Sequence, residues 1–173
     1  NCILNADDFF VPYIEPEFSF RIKEELDFSK APYSFEKVYK SIDSVLPSIE
    51  IVDSRFEDWT KVGINNLIAD NAVNAYWIYG DEINDLEMFN FNSHPVTLYI
   101  NDNYVDRGNS SNVLDNPINS LTWLINTLAN QNKSLPKNSY ISTGTCTPAL
   151  RLNKGDKVCA DFGELGKVKF NFI

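Results

Sequence analysis

The stretch YIEPEFSFRI at 13–22 most constrains what this chain can fold into. Ile14, Phe18, Phe20 and Ile22 fall on one side of a two-residue period, and Glu15, Glu17, Ser19 and Arg21 on the other. Alternation of that kind sends apolar side chains to one face of a β-strand and polar ones to the opposite face. The segment therefore reads as a strand with one buried face. Pro16 predicts an edge position or an early strand residue, because proline cannot donate to a sheet ladder.

The rest of the chain supplies further strands and few helices. Ser34 caps a stripe of Phe35, Val38, Tyr39, Ile42, Val45 and Leu46, which predicts a helix over 34–46 ended by Pro47. IEIVDSR (49–55) opens on a β-branched run and predicts a buried strand, and AYWIYG (75–80) a strand that stops at Gly80. VTLYI (96–100), the turn Asn101-Asp102-Asn103 and YVDRG (104–108) have the pattern of a hairpin. Asn116 and Pro117 suit the cap and first position of a second helix, with Ile118, Leu121, Leu124, Ile125 and Leu128 as its stripe. YIST (140–143), KVCADF (157–162) and KVKFNFI (167–173) read as strands, and residues 1–12 as irregular. The KFNFI run is expected to be an exposed apolar strand suited to an interface. Trp59, Trp77 and Trp123 are expected in the core. The predicted class is α+β, mixed and strand-dominated. A length of 173 residues, 43% of them hydrophobic, suits a single domain over 1–173 with its own core.

Charge excludes some functions. The formal net charge is -9, which argues against nucleic-acid binding and polybasic membrane contact, since both need a basic face. No apolar run is long enough to span a bilayer as a helix. Cys2, Cys146 and Cys159 are odd in number and widely spaced, which fits a reducing, cytoplasmic setting and no disulfide framework. The one histidine, His94, beside Pro95, reads as structural or surface. The one methionine is Met88, so Asn1 is not a translation start and the chain is read as a fragment of a longer one.

Three glutamates carry the best chemical signal. Glu15 and Glu17, two apart on a strand, project from one face with backbones roughly 6.5–7 Å apart, near enough to share one cation. Glu50 lies inside Ile49-Glu50-Ile51-Val52, where a carboxylate must be paired, protonated or bound to metal. Three carboxylates without a neighbouring His or Cys specify a hard ion, Mg²⁺ or Mn²⁺. The same residues also suit the wet face of an edge strand, with Glu50 paired to Arg21 or Arg55. STGTCTP (142–148) is a small-residue turn able to offer N–H groups and hydroxyls to a carboxylate, or an ordinary polar turn. Cys146 inside it has no activating neighbour in sequence. Asp70-Asn71 suits either a turn or a ligand-facing role.

Taken in order, IEPEFSF (14–20), LPSIEIVDSR (46–55), DW (58–59), IADNA (68–72), NPINSLTWLINTLA (116–129) and TGTCTPALRLNKGDKVCADFGELGKV (143–168) form a specific pattern. It resembles the 2-keto-4-pentenoate hydratase and 4-oxalocrotonate decarboxylase group of the fumarylacetoacetate hydrolase superfamily. The resemblance implies a mixed β-sandwich or roll with two or three helices, corresponding to that superfamily's C-terminal catalytic domain without its N-terminal segment. It places a divalent metal on Glu15, Glu17 and Glu50, and a substrate carboxylate at Thr143 and Gly144, with Asp70 also facing substrate. It implies a small 2-oxo or 2-hydroxy acid substrate in meta-cleavage aromatic catabolism, acted on by a hydratase or the related decarboxylase, and a homo-oligomer. The alternatives are another superfamily reaction, such as C–C hydrolysis or oxo-acid decarboxylation, and a catalytically inactive relative. Part of the family's acid/base machinery, a lysine included, lies in the N-terminal segment; Lys61 is the candidate within this chain. Departures from the family pattern are Asn66-Leu67, where Asp-Thr is usual, and Val73, where serine is common.

Overall fold

The computed structural model describes residues 2–173. Ten strands run in chain order: β1 (Cys2–Leu4), β2 (Tyr13–Ile22), β3 (Ile42–Val52), β4 (Asn74–Tyr79), β5 (Pro95–Ile100), β6 (Asn103–Asn109), β7 (Tyr140–Thr145), β8 (Leu150–Arg151), β9 (Lys157–Asp161) and β10 (Lys167–Phe172). Three α-helices accompany them: α1 (Phe35–Lys40), α2 (Ile64–Ala69) and α3 (Pro117–Asn130). The strands form two five-stranded sheets. One has the order β1-β10-β9-β5-β6; the other has the order β4-β3-β2-β7, with β8 also paired to β2. The mixed, strand-dominated α+β class read from the sequence is the observed one.

The alternation at 13–22 sets the core. Ile14, Phe18, Phe20 and Ile22 are fully buried and join the inward face of the other sheet in one cluster. Phe18 is its centre, meeting Phe162, His94 and Phe91 edge-on at 5.3, 5.5 and 5.9 Å between ring centroids. His94 is buried there with Nε2 2.6 Å from the Phe162 carbonyl, a structural histidine as expected.

Several expectations need correction. Pro16 is not on an edge: β2 is central, paired with β3 on one side and with β7 and β8 on the other. β8 pairs Tyr13 and Ile14 and β7 pairs from Glu17 onward, so Pro16 falls at the break between them, where no ladder needs its missing N–H. The predicted helix over 34–46 stops at Lys40, and Ile42 to Leu46 belong to β3. Ile42 and Val45 favour strand, and pairing along the length of β2 overrides the helical spacing. Pro47 lies within β3, just past the end of the β4 ladder, where its carbonyl accepts the Gly80 N–H at 2.9 Å. β10 is an inner strand, and Val168, Phe170 and Phe172 are buried rather than offered to a partner. Residues 2–4 add a parallel strand to β10, and Trp123 lies outside the core at 64% exposure.

The hairpin and the long helix follow the sequence. Asn101 and Asp102 both have positive φ, the two-residue turn that matches strand twist. The Asn116 side chain caps α3 by accepting from Ile118 N at 2.9 Å, and Pro117 begins the helix. Ile118, Leu121 and Ile125 bury its inner face, and α3 packs on α1 and β7. Ser120 donates to the Thr143 carbonyl at 2.7 Å, which ties α3 to the strand that borders the site.

Candidate metal centre

The polar face of β2 meets the polar face of β3 at the acidic cluster. Glu15 pairs directly with Glu50 across the two strands, and Glu17 follows one repeat along. One carboxylate oxygen from each of the three lies within 4.8 Å of the others. The alternative pairing of Glu50 is not formed: Arg21 engages Asp43 and Glu82, and Arg55 engages Asp70. Glu50 instead accepts from the Asn74 side-chain amide at 2.7 Å.

Glu17 is almost fully buried, and β7 positions it. Between Glu17↔Thr145 and Ser19↔Ser142, β7 carries one residue more than β2. That bulge turns the Gly144 N–H onto the Glu17 carboxylate at 2.9 Å, with Ser142 Oγ bonded to the same oxygen. Gly144 has φ of 127°, a conformation that a side chain would strain. Thr143 borders the same cavity, but its hydroxyl donates to the Phe18 carbonyl at 2.7 Å.

Burial and repulsion from neighbouring carboxylates favour the protonated forms of Glu15 and Glu17. Desolvation, reinforced by Glu50, pushes Glu15 up to about 6. Desolvation also dominates at Glu17 and, with Glu50 and Glu15 adding to it, outweighs the Ser142 and Gly144 hydrogen bonds to push the carboxyl up to about 7. No lysine, arginine or histidine among the described residues lines the cavity to neutralise the cluster. Three crowded oxygen donors lacking a counter-charge fit a hard divalent cation, which would relieve both burial and repulsion.

The cavity above the cluster has a volume of about 500 Å³. Its apolar lining comes from Val52 at the end of β3 and from Trp59, Ile64, Leu67, Ile68 and Val73 in the segment that follows. Farther along the sheet, Trp77 stacks on Tyr79 at 4.5 Å and Tyr79 on Tyr140 at 6.2 Å. The Tyr140 hydroxyl is fixed by Glu82 at 2.6 Å.

The sequence candidates separate into two groups. Glu15, Glu17, Glu50, Thr143 and Gly144 all line the cavity. Asp70 and Lys61 do not. Asp70 is buried and bonded to Ser54 Oγ at 3.0 Å and to Arg55, an anchor for the segment that carries α2. Lys61 is 81% exposed and paired with Asp58. Sequence reading missed Asn74 and Glu82, and took in Ser142 only as part of STGTCTP, with no role of its own. Ser142 adjoins the recognised Thr-Gly pair, which is the one local signal that could have found it.

Two sheets sharing one core, with a carboxylate trio on the adjacent central strands β2 and β3, form the fold seen in fumarylacetoacetate hydrolase family structures. A fumarylacetoacetate hydrolase family protein of Yersinia pestis CO92 shares it at 15% identity and a TM-score of 0.74, covering 99% of this chain and 74% of that one. No family model matches the chain. Within that fold, the chain is similar to the 4-oxalocrotonate decarboxylase and 2-keto-4-pentenoate hydratase group. It is 31% identical over 136 residues to 4-oxalocrotonate decarboxylase of Pseudomonas putida, which covers 79% of this chain and 51% of that protein. It is 25% identical over 170 residues to 2-keto-4-pentenoate hydratase 1 of Dechloromonas aromatica, with 98% and 64% covered. The Pseudomonas putida G7 decarboxylase structure, complexed with magnesium and adipate, superposes with a TM-score of 0.92 at 30% identity, over 100% of this chain and 65% of that one. The chain thus spans about half to two thirds of the length of the curated relatives it matches.

Proposed function

We propose that residues 1–173 are the metal-bearing catalytic domain of a divalent-metal-dependent lyase. Its reaction is hydration of 2-hydroxypenta-2,4-dienoate-type acids or the related 4-oxalocrotonate decarboxylation, within meta-cleavage aromatic catabolism. The observation that carries this reading is the convergence of Glu15, Glu17 and Glu50 in a cavity that, among the described residues, has no cationic side chain in its lining. Relatives named for those two reactions, one of them complexed with magnesium, support it.

The three glutamates would hold Mg²⁺ or Mn²⁺. Bound there, the ion supplies Lewis acidity to the oxygens of a 2-oxo or 2-hydroxy acid. The chain's own residues prepare the site. Ser142 and Gly144 fix the orientation of Glu17, and Asn74 that of Glu50. Thr143 and Gly144 border the place proposed for the substrate carboxylate, and Val52, Trp59, Leu67 and Val73 offer apolar surface to the remainder of the ligand. Lys61 and Asp70 stay outside this arrangement in the present conformation. Three free cysteines support a reducing, cytoplasmic setting. The exposed Tyr76, Tyr79 and Trp123 support a homo-oligomer, which sedimentation velocity tests.

The deciding experiment is a Mn²⁺ titration by calorimetry or EPR, with Glu17→Gln as control. Binding that the substitution removes is the expected result. A folded parent chain that binds no Mn²⁺ overturns the reading.

A further inference from the structure

The sheet that does not carry the glutamates has a concavity of its own. Val158, Ala160, Val168 and Phe170 are buried in the core, so Lys157, Cys159, Asp161, Lys167, Lys169 and Asn171 alternate onto the outward face of β9 and β10. That face holds a cavity of about 420 Å³, bordered also by Tyr99 of β5 and by Asp102 in the turn after it. It shares no residue with the glutamate cavity. We propose that this second cavity is an anion site for the phosphate group of a small phosphate monoester, with Lys157 and Lys169 as its charged contacts.

The strand register brings the cations together. Lys169 stands directly opposite Cys159, and Asn171 directly opposite Lys157, so the two lysines are diagonal neighbours on adjacent strands. Such neighbours have backbones about 7–8 Å apart, within reach of one anion for two lysine stems. Burial raises the Cys159 thiol, and Lys169 and Lys167 pull it back, which sets both ammonium groups close to the cavity floor. Lys167 is engaged by Asp161 at 2.6 Å. Among the described residues, no carboxylate pairs with Lys157 or Lys169, and Asp102 is the one other acid in the lining. The cavity therefore keeps a positive excess in a chain whose net charge is -9. A phosphate monoester is close to a dianion at neutral pH, and lysine binds phosphate as a point charge. A monocarboxylate carries about half that charge and is held correspondingly less. Tyr99 lies directly opposite Cys159 on the far side from Lys169. Its half-buried ring and the uncharged thiol give the organic part of an ester a surface beside the lysines.

The test titrates the metal-free chain with phenyl phosphate, inorganic phosphate and benzoate at neutral pH and low ionic strength, where exposed charges are least screened. Calorimetry reads affinity, and amide shifts in NMR read location. The expected result is saturable binding of phenyl phosphate with a Kd of about 1 mM or tighter, shifts centred on Lys157, Cys159 and Lys169, and weaker binding of the other two probes. Both lysines project from the core, so their replacement leaves the fold intact, which circular dichroism checks. Lys157→Gln and Lys169→Gln are each expected to weaken binding about fivefold. Lys169→Arg, which keeps the charge, should retain it, and Glu17→Gln at the other cavity should leave it unchanged. Phenyl phosphate that gives no saturable signal, or shifts centred on Thr143 and Gly144 instead, overturns the proposal. So does a Lys157→Gln, Lys169→Gln double variant that binds as tightly as the parent. Benzoate or inorganic phosphate bound as tightly as phenyl phosphate overturns the choice of a monoester.

Discussion

Glu17 is held by two hydrogen bonds and still keeps its proton to about 7, because burial and neighbouring glutamates outweigh the donors. Two consequences follow at this scale. Glu50→Gln should abolish Mn²⁺ binding while circular dichroism stays that of the parent, since Glu50 faces the cavity and leaves the core intact. The second concerns pH. Glu15 and Glu17 ionise near their ordinary value of 4.5 when unfolded, but near 6 and 7 when folded. The folded chain therefore binds more protons over that window, and metal-free stability should fall as pH rises from about 4.5 through about 7. Mn²⁺ affinity should move the opposite way, tightening as those protons leave; denaturant melts and calorimetry across the window check both. The three glutamates were legible because a two-residue spacing and a charge inside a β-branched run are local signals. Ser142 and Asn74 were not, since their partners Glu17 and Glu50 lie 125 and 24 residues away. Asp70 drew attention for the motif around it; its place in the structure is set by Ser54 and Arg55, which spacing cannot reveal.

Among the elements, the terminal signals of α3 and the turn of the β5–β6 hairpin could be read directly, because cap and turn chemistry is decided within a few residues. Asn116→Ala should remove the α3 cap at a cost of about 1 kcal/mol. For a chain of this length that lowers Tm by about 2–4 °C in a thermal melt. The segment from Ile42 to Leu46 could not be read this way. Its apolar residues satisfy a helical period, and only ten residues of pairing to β2 decide for strand. Gly108 shows a similar long-range constraint. A Cβ there would overlap the Cys146 backbone carbonyl, which also accepts from the Asn112 side chain at 2.8 Å. Gly108→Ala should push the 144–147 turn away from β6, lowering Tm well beyond the cap substitution and weakening Mn²⁺ binding through Gly144.

Over the whole molecule, the site draws on residues 15–17, 50 and 142–144, and neither sheet alone supplies both the cluster and the core beneath it. Ligation therefore reports on the folded state. Mn²⁺ at about a hundred times its dissociation constant should add about 2.7 kcal/mol of stability. That corresponds to a Tm rise of about 5–10 °C, absent in Glu17→Gln; at one fixed Mn²⁺ concentration the rise should shrink as pH falls and the glutamates take up protons. The resemblance to the hydratase and decarboxylase group was legible because its motifs fall in order along nearly the whole chain. The apolar character of the cavity wall was not, because Val52, Trp59 and Ile68 become neighbours only once the segment after β3 folds back. The three tryptophans give this arrangement an optical use. Trp59 borders the cavity, Trp77 sits opposite Glu50 in the strand register, and Trp123 faces solvent on α3. A paramagnetic Mn²⁺ seated among the glutamates would darken the first two and spare the third, so the unlabelled chain signals its own occupancy in the wavelength and yield of its fluorescence.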